Sequence, residues 1–254
     1  MKKKIIITAG PTNERIDSVM KITNMSTGSM GCNVAETFLE DKENEIEKIF
    51  FISTQMTYKP KIESSKIEYV TIKYTKDLIQ ALEKIFKENK IDIMIHSAAV
   101  GDYTGKYSIR AEDLVDEILE VIKNNDKEEI TKEKLMNIFE KPKAVADNSG
   151  KMSSNEPHLM TMLTLTPKVI SLIKKNAPDI TLVGFKLLDG VSKEKLLSVA
   201  SNLRNKNDAD YIVANDLSKI GDGKHWAMIV GENGVICECQ TKKEIAKEIE
   251  KLVF

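Results

Sequence analysis

The stretch Ile5-Ile6-Ile7-Thr8-Ala9-Gly10-Pro11-Thr12, followed by Asn24-Met25-Ser26-Thr27-Gly28-Ser29-Met30-Gly31, decides how this chain folds. Its apolar β-branched run suits a buried strand, and Gly10 allows a tight backbone exit. Ser26, Thr27, Gly28 and Gly31 then open a helical pattern that continues from Cys32 to Leu39. Such a helix start attracts phosphate, because its free N–H groups and the positive end of its dipole face the ligand. Glycines there let an anion approach the backbone without a Cβ clash. Taken alone, the same Ser/Thr/Gly cluster also reads as an ordinary helix cap. It is not the dinucleotide fingerprint, whose glycines fall within six residues, whereas a long insertion separates Gly10 from Gly28. A nicotinamide-dependent oxidoreductase is therefore the weaker alternative.

Outward from this stretch, strand and helix periods alternate, the pattern of a mainly parallel sheet covered by helices on both faces, a Rossmann-like α/β fold. Strands are expected near 4–8, 47–52, 68–73, 92–97, 159–165, 181–185, 210–214, 226–230 and 234–239. Helices are expected at about 29–41, 75–89, 167–176, 192–206 and 242–252, the last opened by the capping box Thr241-x-x-Glu244. With 254 residues and 41% hydrophobic content, the chain can bury one large core, so a single domain over 1–254 is expected.

The run Asp92 to Asp102 reads as a central strand whose carboxyl end delivers small residues and then an acid, and ligands sit outside such strand ends. Ala98 and Ala99 let a substrate lie against the backbone. Asp102 is suited to hold an amide, a ribose hydroxyl or a metal-bound water, or else to cap a turn. The 48 residues between Asp102 and Lys151 exceed any tight connection, so they form a small helical insertion at about 104–150. Its helices are expected at about 111–124 and 131–140, with Leu114, Ile118, Val121, Ile122, Leu135, Ile138 and Phe139 on their apolar faces. Asp147-Asn148-Ser149-Gly150 leads to Lys151 as a turn-rich flap over about 142–155.

A formal net charge of −1 supplies no global field for nucleic acid, so small anions must be bound by local geometry. Cys32, Cys237 and Cys239 lack the spacing of a zinc site or disulfide framework, which points to a reducing cytoplasm. Met1-Lys2-Lys3-Lys4 is followed by only three isoleucines, so neither a signal peptide nor a membrane span is expected.

Together these blocks resemble phosphopantothenoylcysteine synthetase, also called phosphopantothenate-cysteine ligase, of coenzyme A synthesis, in its monofunctional bacterial form. The resemblance rests on Thr8-Ala9-Gly10-Pro11-Thr12-x-Glu14, Ile16-Asp17, and Ile22-Thr23-Asn24-x-Ser26-x-Gly28-x-Met30-Gly31. Ala98-Ala99-Val100-x-Asp102-Tyr103, Lys151-Met152-Ser153-Ser154, Val183-Gly184-Phe185-Lys186 and Val213-Ala214-Asn215-Asp216 follow in order.

The resemblance implies a reaction in which the phosphopantothenate carboxylate takes the nucleotidyl group of CTP, or of ATP, with Mg²⁺, before cysteine attacks the acyl-nucleotide. It implies that Gly10, Ser26, Gly28 and Gly31 line the nucleotide phosphates, that Phe185 and Asn215 sit by the nucleoside, and that Pro167 and Lys168 form a nucleotide-contacting turn. Asn24, Ala98, Ala99 and Asp102 are implied to hold the phosphopantothenoyl portion, with Asp102 also placed to touch the nucleotide. Asn24 and Lys151 are the implied catalytic residues, Lys151 as the flap lysine that neutralises charge. A homodimer and a separate flavin-dependent decarboxylase chain, acting next in the pathway, are implied as well. Two departures stand out: Ser29 replaces a lysine of the family motif, and Met152-Ser153-Ser154 replaces a lysine-rich run. Either Arg204 or Lys206, or neither, supplies the basic nucleotide contact near the Ala-Asn-Asp block.

Overall fold

Ile5, Ile6 and Ile7 are all fully buried. Successive strand residues point to opposite faces, so burial of all three requires cover on both sides of their sheet. In the computed structural model, which describes residues 2–124, 130–153 and 155–254, that cover is supplied by helices. In chain order the strands are β1 (Lys3–Ala9), β2 (Asn13–Arg15), β3 (Lys21–Thr23), β4 (Ile46–Thr54), β5 (Ile67–Ile72) and β6 (Ile93–His96). They continue with β7 (Tyr103–Arg110), β8 (Leu159–Leu165), β9 (Thr181–Leu188), β10 (Tyr211–Gly221), β11 (Lys224–Gly231) and β12 (Gly234–Cys239). The α-helices are α1 (Ser29–Lys42), α2 (Thr75–Glu88), α3 (Ala111–Lys123), α4 (Lys132–Glu140), α5 (Ile170–Asn176), α6 (Lys193–Lys206) and α7 (Lys242–Val253). None of them is long and apolar enough to cross a membrane.

The chain forms two compact units, one of Met1–Thr12, Asn24–Val100 and Lys168–Phe254, the other of Asn13–Thr23 and Gly101–Pro167. The first unit holds an eight-stranded sheet in the order β12-β11-β10-β9-β6-β1-β4-β5. The run from β10 to β5 is parallel, and β11 and β12 close one edge antiparallel. Ile6 lies opposite Phe50 on one side and Met94 on the other. Ile5 and Ile7 join Val34 and Phe38 of α1 and Ile245 and Ile249 of α7 on one face. Ile6 joins Leu78 and Leu82 of α2, Ile173 of α5 and Leu196 of α6 on the other.

The second unit pairs β2 with β3 and β7 with β8, each antiparallel. Its core is small: Tyr107, Ile109, Leu114 and Ile138, packed by Ile118, Val121, Leu135, Phe139 and Met162. The apolar set expected on the two insertion helices is found there, except Ile122, which is 44% exposed. The expected strand over 159–165 forms but belongs to this ribbon rather than to the large sheet. Its partner β7 escapes pattern reading, because Gly105 and Lys106 interrupt the alternation and a bulge lies between Gly105 and Tyr107. The unit is also wider than an insertion over 104–150, since it takes in 13–23 and the whole ribbon. The helix expected from 167 begins at Ile170. Ser154 and residues 125–129, which fall within the expected flap and insertion, lie outside the described residues.

Phe38 ties the two helices of one face together, its buried ring standing edge-on to Phe254 at 5.2 Å and 85°. Phe38→Ala should cost about 3–5 kcal/mol of stability. Urea denaturation checks this, and a loss below about 1 kcal/mol would show that the α1–α7 layer repacks around the gap.

Candidate functional site

Counting only the parallel strands from β5 to β10, the chain order across the sheet is 3-2-1-4-5-6. Connections leave β1 on one side and enter β6 on the other, so a crevice opens beyond their carboxyl ends. The two strand exits are laced together there. Ser97 N and Oγ donate to the Thr8 carbonyl at 3.2 and 2.7 Å. Ala99 N donates to the Gly10 carbonyl at 2.9 Å, and Thr12 N to the Ala99 carbonyl at 3.2 Å.

The Thr8 hydroxyl oxygen accepts from Ala98 N at 3.2 Å and lies 2.9 Å from His96 Nδ1. The hydroxyl and Nδ1 share one hydrogen bond, whose donor is set by the tautomer of the imidazole. Burial pushes the His96 pKa down to about 4, so the ring is neutral near pH 7. Asn24 is drawn to the same loop, its amide Nδ2 donating to the Ala99 carbonyl at 3.0 Å. Gly10, Asn24, Ala98 and Ala99, widely spaced in sequence, therefore meet in one hydrogen-bonded cluster.

Beside it, the first turn of α1 is prepared by Ser26 and Thr27, whose hydroxyls accept from Gly28 N and Ser29 N, each at 3.4 Å. Gly28 and Gly10 have φ of +81° and +75°, which strongly favour glycine. A Cβ on either would come within 2.2 Å of the Thr57 side chain, and one on Gly31 within 2.6 Å of Ala9 Cβ. The missing side chains thus admit chain against chain at these points, with Thr57 as the unforeseen third member. Its own pattern, a lone threonine after β4, carried no signal.

Phe185 is half-buried on β9 opposite Val213. Asn215, on β10, is buried, and its Nδ2 lies 2.8 Å from His225 Nε2. Asn215 Oδ1 and His225 Nδ1 have no hydrogen-bond partner among the described residues. Burial, and then the nearby Lys242 ammonium, bring the His225 pKa down to about 4. Lys168 is exposed just before α5, its carbonyl accepting from Ser171 N and Oγ at 3.1 and 2.7 Å.

In the second unit, Asp102 is exposed ahead of β7, its carbonyl accepting from Thr166 N at 3.0 Å, and Pro167 ends the stretch after β8. Lys151 is exposed, yet the segment around it is tied down. The Arg15 guanidinium donates to the Asn148 and Ser149 carbonyls at 2.7 Å each. Asp17 accepts from Val19 N at 2.7 Å, Met20 N at 2.6 Å and Met152 N at 3.1 Å. Backbone bonds from Met20, Val19 and Met152, in that order, hold the Asp17 carboxyl below the usual range. The turn-rich approach to Lys151 is therefore anchored to the β2–β3 hairpin by two side chains.

A helix-covered parallel sheet, with small residues and helix-start amides at its switch point, defines a doubly wound α/β protein of the kind that binds ligands at the carboxyl edge. The model of the DNA/pantothenate metabolism flavoprotein C-terminal domain matches residues 1–126 and 131–254, and the chain belongs to that family. It is similar to the DNA/pantothenate metabolism flavoprotein from Streptococcus pneumoniae, with a TM-score of 0.77 and 34% identity, covering 99% of this chain and 98% of that one. It is 29% identical over 256 residues to the coenzyme A biosynthesis bifunctional protein CoaBC of Thermococcus kodakarensis, covering 99% of this chain and 52% of that protein. The corresponding protein of Methanocaldococcus jannaschii is 27% identical over 254 residues, covering 98% and 50%. The chain spans about half the length of these curated relatives.

The Asp17 anchor makes a testable prediction. A carboxyl whose folded pKa is depressed contributes stability above its unfolded value, about 4, and loses it as the pH falls through the folded value. Asp17→Ala should therefore speed amide hydrogen exchange at Val19, Met20 and Met152 at pH 7 while leaving α1 protected. Unchanged exchange at Met152 would show that Arg15 alone holds the segment.

Proposed function

We propose that this chain is a phosphopantothenate-cysteine ligase, joining 4′-phosphopantothenate to L-cysteine through an acyl-nucleotide. The observation that carries the reading is the Asn24–Ala99–Thr12 hydrogen-bond cluster, set at a switch point beside the first turn of α1. It sets small residues where an uncharged polar chain would lie, beside helix-start N–H groups for phosphates. Similarity over the whole chain to half of each CoaBC protein supports the same assignment.

In the first step, a carboxylate oxygen of phosphopantothenate attacks the α-phosphorus of the nucleotide, and pyrophosphate leaves. The amine of cysteine then attacks the acyl carbonyl, the nucleoside monophosphate leaves, and an amide remains after the amine gives up a proton. Negative charge gathers first on the phosphoryl oxygens and then on the carbonyl oxygen. Fixed N–H groups and cations aimed at those atoms lower both barriers.

We assign Gly10, Ser26, Gly28 and Gly31 to the phosphates, Phe185 and Asn215 to the nucleoside, and the Pro167–Lys168 turn to the nucleotide. Asn24, Ala98, Ala99 and Asp102 hold the phosphopantothenoyl group, and Lys151 supplies charge at the reacting centre. CTP is the assigned nucleotide, with ATP as the second reading. Among the described residues no group of three or more His, Cys, Asp or Glu forms a metal cluster. Mg²⁺ enters this reading on the triphosphate, where one or two protein carboxylates suffice and the ion would shield the phosphate charge. A homodimer, and a flavin-dependent decarboxylase consuming the product, complete the reading.

With CTP and phosphopantothenate but no cysteine, pyrophosphate should appear up to about one equivalent per site, as expected when a bound acyl-nucleotide accumulates. Mass spectrometry should show the acyl-cytidylate, and CMP should follow on adding cysteine. Pyrophosphate that forms only with cysteine, or a nucleoside diphosphate product, would rule this order out.

Asn24 and Lys151 should separate by the bond each can make. Asn24→Asp puts a negative charge beside anionic groups and should abolish acyl-nucleotide accumulation. Lys151→Gln should lower the rate roughly 10²–10³-fold, the scale of removing one preorganised electrostatic group. Both variants should melt near wild type, and full activity in Lys151→Gln would place the charge-stabilising group elsewhere.

A further inference from the structure

Lys242, the first residue of α7, reaches across to the first residue of α1, its Nζ donating to Ser29 Oγ at 2.6 Å. Helix N-termini carry positive partial charge and disfavour cations. Here one ammonium sits in the first turn of its own helix and against the first turn of a second. The first turn of α1 contains no acid. The acid in the first turn of α7, Glu244, is engaged elsewhere, accepting from Gln240 N at 2.7 Å. Lys242 is only half-buried and makes no ion pair among the described residues. Three sources of positive potential thus converge, with no ion pair to Lys242 among the described residues to balance them.

A second observation points the same way. Asn215 and His225 are 8% and 9% exposed, and each keeps a buried polar atom, Oδ1 and Nδ1, without a hydrogen-bond partner among the described residues. The Lys242 ammonium is near enough to disfavour protonation of His225. One cation therefore stands by both the helix start assigned to phosphates and His225, the hydrogen-bond partner of the Asn215 assigned to the nucleoside.

We propose that Lys242 is a phosphate-binding residue of the nucleotide site, its ammonium pairing with a phosphate of the nucleoside triphosphate over the first turn of α1. This rests on the nucleotide reading above. Ser29 acts as the tether that holds the lysine in place before the anion arrives, so that less side-chain freedom is lost on binding.

Calorimetric titration tests it with CTP, ATP, cytidine, adenosine and phosphopantothenate, each against wild type, Lys242→Gln, Lys242→Arg and Lys243→Gln. Lys242→Gln should weaken triphosphate binding about 10- to 100-fold, the range for losing one charge-assisted hydrogen bond. Nucleoside and phosphopantothenate binding should stay within twofold, Lys242→Arg should retain most affinity, and Lys243→Gln should match wild type. Ligand-free Lys242→Gln should melt at or above the wild-type temperature, because an unbalanced charge has been removed. Should it melt lower, Lys242→Met, which keeps most of the aliphatic stem, serves in its place. Equal triphosphate affinity in wild type and the neutral variant would overturn the proposal. A loss confined to phosphopantothenate would overturn it too, by giving the cation to the other substrate. Binding is read without turnover, so the role of Lys242 is decided even where the ligase assay fails.

Discussion

Burial of β1 between β4 and β6 is the constraint on which the first unit depends. A parallel strand hydrogen-bonded on both edges, with Ile5, Ile6 and Ile7 fully buried, needs helices above and below. Crossovers on opposite sides of β1 follow from that, and so does the crevice at its carboxyl end. The switch point is thus a consequence of core packing. The loops after β1 and β6 must pass one another there, which brings Gly10, Ala98 and Ala99 together.

Once the loops pass, their backbone groups need partners, and the structure supplies them from main chain and short polar side chains. Ser97 and Ala98 bond Thr8, and Asn24 bonds Ala99, across gaps of 75 to 90 residues. Burial holds the His96 imidazole beside Thr8 neutral near pH 7, so no buried charge has to be balanced there. The result is a hydrogen-bonded floor beside a helix start.

The second unit solves a different problem. Its core is small, and it gains order from charged side chains that bind backbone: Arg15 to the Asn148 and Ser149 carbonyls, and Asp17 to three amides. Charge-assisted bonds to the main chain are stronger than neutral ones, so two residues suffice to anchor a turn-rich segment.

Much of this was legible in sequence. The β-branched run at Ile5, the Ser/Thr/Gly cluster that opens the helix at Ser29 and the apolar stripes of α2, α3, α4 and α7 are local signals, which depend only on neighbours within a few residues. The first-unit strands came from the same kind of reading, the attention to Ala98 and Ala99 from small residues at a strand's carboxyl end, and that to Asn24 from family resemblance alone. What periodicity missed depends on partners far along the chain. The three-residue strands β2 and β3 are too short to show a period, and β7 exists because β8 pairs with it. That β8 leaves the main sheet is likewise a matter of pairing, since a strand's pattern does not name its neighbour. Thr57 against Gly10 and Gly28, His225 against Asn215, and Lys242 against Ser29 are decided by three-dimensional proximity alone. Sequence determined which segments become strands and helices, because that is set by local sterics and hydrophobic spacing. Tertiary structure decided which polar side chains meet, because hydrogen bonds and charges act over a few ångströms of space, whatever their separation in the chain.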